Sequence, residues 1–120
     1  MDFSTITYTM LTVYGISNCD TIKKTLNWLK SNQIEFLFHD YKKQGISQET
    51  IENWLAQTDW TTLINKAGTT FKALSEEQKA AVNNPQNALA LMLEKPSLIK
   101  RPVIENSGKI VKIGWKPEGL

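Results

Sequence analysis

The order of apolar patterns in the first third of the chain restricts what it can fold into. Met10-Leu11-Thr12-Val13-Tyr14 is β-branched and aromatic and stops at Gly15, which predicts a buried strand closed by a turn. The period then changes. Ile22, Leu26 and Leu29 recur at spacings of four and three while Lys23, Lys24 and Lys30 lie off that stripe, the pattern of a helix laid on a core. Residues Ile34 to Tyr41 return to an extended pattern, with Ile34, Phe36 and Phe38 alternating with Glu35 and His39 around Leu37. Strand, helix and strand in about thirty residues make a βαβ unit, whose crossover is almost always right-handed and whose strands are parallel neighbours.

The only cysteine falls where the first strand gives way to the helix, at the carboxyl end of the strand, where open α/β sheets place their ligand sites. Asn18 is a good N-cap, and if it caps the helix Cys19 becomes the first helical residue. The unpaired amide groups and positive dipole end there favour a thiolate over a thiol, as in reactive cysteines. A lone free cysteine is also often a buried space-filler, and Asp20 beside it opposes ionisation, so an inert role stays open beside the reactive one. Lys23, one turn on, either adds a further cation or simply faces solvent.

The length of 120 residues with 41% hydrophobic content supports one domain with one core. Residues 1–9, with Thr5, Thr7 and Thr9 alternating with Ile6 and Tyr8, read as a loose extension, and residues 10–120 as the domain. No apolar run is long enough to span a bilayer, and Asp2 with its polar neighbours does not resemble a signal peptide, so the expected location is the cytoplasm with no membrane contact. One cysteine excludes an internal disulfide or a CxxC couple. One histidine, His39, leaves too few soft ligands for an ordinary zinc site, so no metal is expected, and His39 reads as a structural residue at a strand end. The net charge is only +2, but between Lys95 and Lys116 six cations face only Glu105, a cluster that is either simply a solvated face or one that draws in a small anion or an anionic thiol. Without interleaved aromatics or dense basic runs, it gives no case for nucleic acid.

Beyond the βαβ unit, Gly45 breaks the chain and Ser47 is placed to cap a helix with Ile51, Trp54 and Leu55 on one face. Asp59 starts a short helical piece, and Asn65 to Thr70 reads as a loop. Ser75 with Gln78 suits a capping box, and Asn84 before Pro85 starts a helix that turns Leu89, Met92 and Leu93 inward and stops at Pro96. From Leu98 the pattern is extended again. Val103 and Ile104, the turn Asn106-Ser107-Gly108-Lys109, and Ile110, Val111 and Ile113 predict a β-hairpin. The expected class is α/β, a mixed four-stranded sheet flanked by helices.

Four of these segments, Gly15-Ile16-Ser17-Asn18-Cys19-Asp20-Thr21-Ile22-Lys23-Lys24, His39-Asp40-Tyr41, Ala67-Gly68-Thr69-Thr70-Phe71 and Ile99-Lys100-Arg101-Pro102, together resemble the YffB branch of the arsenate reductase ArsC and Spx family. The resemblance runs from about Met10 to Trp115. It implies a thioredoxin-like fold with a helical insertion, a nucleophilic Cys19, and Arg101 holding an anion or carboxylate beside it. It further implies a cis bond before Pro102, which faces the cysteine. Asn18, Thr21, Lys23 and Lys66 complete the candidate substrate- or anion-binding set. Arg101 also stands out as one arginine among thirteen lysines, whose planar fork binds an oxyanion bidentately as lysine cannot, although a plain surface role stays open for it.

This chain departs from the true arsenate reductases at several positions. Gly15 stands where those proteins resemble one another in having a histidine, Asn65 or Lys66 stands near their second arginine, and Lys116 near their third. Ile22 replaces the second cysteine of the Spx-type CxxC switch. The expectation is a glutathione-dependent monothiol reductase with no bound cofactor and glutathione as co-substrate. The alternatives are an arsenate reductase and a regulator that binds RNA polymerase without catalysis.

Overall fold

A computed structural model describes residues 11–114. The reading of residues 1–9 as an extension, and the places of Met10, Trp115 and Lys116, lie outside them. The chain divides into two compact units, one formed by the segments up to Asp40 and from Arg101 onward, the other by Tyr41–Lys100.

The first unit holds the sheet. Strand β1 (Leu11–Gly15) leads through helix α1 (Asp20–Ser31) to β2 (Phe36–Asp40), and after the inserted second unit come β3 (Val103–Asn106) and β4 (Lys109–Ile113). The order is β2-β1-β3-β4, with β1 parallel to β2 and antiparallel to β3, and β3 antiparallel to β4. This is the predicted mixed sheet. Val13, Leu29 and Ile104 form its core, with Leu11, Leu26, Trp28, Ile34, Phe36 and Phe38 packed around them, so α1 lies on the sheet along the stripe seen in sequence. The hairpin turn carries Ser107 and Gly108 at φ 52° and 84°, the left-handed pair that a tight two-residue hairpin requires.

The second strand is shorter than the sequence pattern indicates. Tyr41 leaves it to open α2 (Tyr41–Gln44), where its buried ring donates through the hydroxyl to the Ile99 carbonyl at 3.1 Å. His39 stays inside β2, opposite Tyr14 in the register, with the two ring centroids 5.0 Å apart.

The second unit is helical. Helices α3 (Gln48–Leu55), α4 (Trp60–Leu63), α6 (Glu76–Ala81) and α7 (Pro85–Glu94) start at Ser47, Asp59, Ser75 and Asn84, whose side chains each accept a backbone N–H, and Ser75 and Gln78 complete a capping box. Thr69 and Thr70 are not loop but open α5 (Thr69–Lys72). In α7 the inward face is Ala88, Leu91 and Met92, while Leu89 and Leu93 are half-buried, so the apolar stripe is rotated from the one expected. Leu98 belongs to a 3₁₀ turn, Pro96–Leu98, and not to a strand. Ile99 then bridges Ile64, and Lys100 N–H donates to the Leu63 carbonyl at 2.7 Å, which ties the end of this unit to α4. Among the described residues no helix is long and apolar enough to cross a membrane.

Candidate active site

Where β1 ends, the chain turns sharply into α1. The turn spans Ile16 to Cys19 and is closed by the Cys19 N–H donating to the Ile16 carbonyl at 3.3 Å. Gly15, at its foot, is buried, and a Cβ there would run into the Ile22 side chain on the first turn of α1. The absence of a side chain at 15 therefore lets helix and strand approach closely.

The helix begins one residue later than the sequence indicates. Cys19 has extended backbone angles, φ −107° and ψ 130°, and is itself the N-cap, while Asn18 lies exposed in the turn. Asparagine is the better cap by intrinsic preference, but it is equally suited to turns, and here the turn takes it. The N-cap place suits a thiolate better than the first helical position does. An N-cap side chain faces the amide groups two and three residues on, which here are Thr21 and Ile22.

Cys19 is half-buried and free. Burial pushes its thiol pKa up, but the Ile22 N–H, a side-chain hydrogen bond from Arg101, the Thr21 N–H and the Arg101 charge outweigh it, and the thiol is held below its ordinary value. The sulfur makes no full capping bond, so these donors act by favouring the thiolate.

Arg101 reaches the site through the sheet. Tyr14 pairs with Val103, so the residues entering β3 stand beside the end of β1. The Arg101–Pro102 peptide is cis, as the resemblance implies; Pro102 is buried and Arg101 half-buried. The Pro102 carbonyl accepts from Gly114 N–H at 2.8 Å.

The structure thus brings Cys19, Thr21 and Arg101 together in the sheet unit, with Pro102 next to Arg101 in the chain. Lys23 has an exposed side chain, and its backbone N–H makes the first bond of α1, to the Cys19 carbonyl at 3.0 Å. Lys66 belongs to the helical unit, exposed, with its ammonium 5.8 Å from the centroid of the Trp60 ring. Asp40 is a further polar residue at this junction, outside the candidate set. It is only 6% exposed and accepts the Ser17 N–H at 3.2 Å. A strand-end carboxylate beside a turn was the available signal. Among the described residues no three histidine, cysteine or acidic side chains form a group able to hold a metal.

The model of the ArsC family matches residues 14–120. The fold is similar to the solved structure of the YffB protein, 45% identical over 91% of this chain and 94% of that one, with a TM-score of 0.84. An arsenate reductase (ArsC) related protein from Brucella melitensis is 46% identical over 91% of this chain and 89% of its own, with a TM-score of 0.76. The regulatory protein MgsR of Bacillus subtilis is 32% identical over 92% of this chain and 86% of its length.

Proposed function

The chain belongs to the ArsC family, and on that basis we propose a thiol-dependent reductase in which Cys19 is the nucleophile and glutathione the external thiol that restores it. The observation that supports it is a lone sulfur at the head of α1, beside Arg101, with its thiolate favoured. The Cys19 thiolate attacks one sulfur of a disulfide or glutathione mixed disulfide. A bond forms to Cys19 as the original sulfur–sulfur bond breaks, and the other sulfur leaves as a thiolate. The chain has no second cysteine to open the mixed disulfide. A glutathione thiolate therefore attacks the sulfur bonded to Cys19 and returns the Cys19 thiolate; where that sulfur is glutathione's the product is oxidised glutathione, and where it is another thiol's it is a mixed disulfide that a second glutathione opens, releasing that thiol and forming oxidised glutathione. Arg101 holds a carboxylate of the substrate, and the backbone around Pro102 pairs with its peptide groups. A reducing compartment such as the cytoplasm would supply the thiol.

Arsenate is the weaker substrate in this reading. One arginine replaces several, and each lost charge-assisted hydrogen bond removes about 1.5 to 3 kcal/mol from the hold on a tetrahedral oxyanion. The test is mass spectrometry after exposure to oxidised glutathione, beside an arsenate reduction assay on the same sample. The expected result is one glutathione on Cys19, released by excess thiol, with poor arsenate turnover. Efficient arsenate reduction without a glutathione adduct would reverse the ranking.

The similarity to MgsR, a regulatory protein, favours a second reading: a module that acts by binding a protein such as RNA polymerase. Capture of that partner would then be unchanged in Cys19→Ser, which the reductase reading has no reason to expect of its own activity.

A further inference from the structure

The turn that presents Cys19 has two exposed residues at its tip, Ser17 and Asn18, so packing does not hold it there. It is held at Ile16, which is buried, and by two backbone contacts: the Cys19 N–H to the Ile16 carbonyl, and the Ser17 N–H to Oδ2 of Asp40. Asp40 is the last residue of β2 and stands opposite Gly15, the last of β1, so its carboxylate reaches sideways from the neighbouring strand to the turn that follows. A carboxylate kept this far from water requires donors, and the Ser17 amide is one of them. We propose that Asp40 is a positioning residue for Cys19: its buried carboxylate anchors the Ile16–Cys19 turn through Ser17 N–H and so fixes the sulfur against the N-terminus of α1 and Arg101. This rests on Cys19 being the nucleophile.

Charge and anchoring have opposite effects here, which makes the proposal separable. A nearby negative charge disfavours a thiolate, so removing it lowers the thiol pKa, whereas loosening the turn takes the sulfur from its donors and raises it. Asp40→Asn and Asp40→Ala both remove the charge, but asparagine keeps an oxygen that can accept from Ser17 N–H. The experiment is the pH dependence of Cys19 alkylation in both variants. Asp40→Ala should titrate about one unit above Asp40→Asn and be alkylated more slowly at neutral pH. A second pair reaches the same bond from the other side. Ser17→Pro removes the donor while leaving the carboxylate, at the second position of a turn that proline tolerates, and it should titrate above Ser17→Ala. The proposal is overturned if the two Asp40 variants titrate alike, or, where Asp40→Ala does not fold, if the two Ser17 variants do. The wild-type value tests Cys19 and the differences test Asp40, so either can fail without the other.

Discussion

At Cys19 the groups that favour the thiolate are of two kinds, backbone amides at the start of a helix and a single side-chain guanidinium, and substitution can separate them. Arg101→Gln removes both the hydrogen bond and the charge, leaving Ile22 and Thr21 against desolvation. Arg101→Lys keeps a charge but loses the planar fork. The Cys19 pKa should rise in the order wild type, lysine, glutamine, read from alkylation rate against pH. An unchanged value in the glutamine variant would remove Arg101 from the site. The lowered pKa also fixes the sign of a stability effect. A group more acidic when folded stabilises the fold fully above its unfolded pKa, about 8.5 for cysteine, and loses that contribution as pH falls through the folded value. The stability of wild type relative to Cys19→Ser, from urea unfolding at several pH values, should therefore grow as pH rises through that window. Cys19 and Arg101 were visible in the sequence because each is the only residue of its type. Asp40 carries only a weaker signal, a carboxylate at a strand end, because the Ser17 N–H that it meets lies in a turn 23 residues away in the chain.

Among the elements, the junction of β1 and α1 carries the tightest constraint. Gly15→Ala would press a methyl group into Ile22, and overpacking of this kind costs about 1 to 3 kcal/mol. Ile22→Val deletes Cδ1, the atom the new Cβ would meet first, so the double variant should recover part of the loss in a denaturation cycle. Strictly additive losses would contradict the packing account. Capping gives a second contrast. Ser75→Ala should cost about 1 kcal/mol, whereas Asn18→Ala, outside the helix, should stay within about 0.5 kcal/mol. Ser47, Asp59, Ser75 and Asn84 could be read from sequence because a cap is a local bond between a short side chain and the next turn. Helices α2 and α5, four residues each, could not, since so short a piece carries no period and is held by contacts made elsewhere.

For the molecule as a whole, the decisive placement is β3 beside β1. The parallel β1–β2 pair follows from a short βαβ unit and was evident from periodicity, and the β3–β4 hairpin from its turn. That the hairpin joins β1 on its open side, after a sixty-residue helical segment, is a long-range choice, and only the family resemblance indicated it. On that placement the account depends, because it sets the one arginine beside the one cysteine. If this is a working thiol site, oxidised glutathione should add to Cys19 in the intact chain and Cys19→Ser should abolish the adduct. Whether Cys19 is activated is read from its alkylation rate across pH. A single titration is expected, with its midpoint below about 8.5, the value of free cysteine. A rate that rises only at or above that value would show an ordinary thiol and contradict that activation.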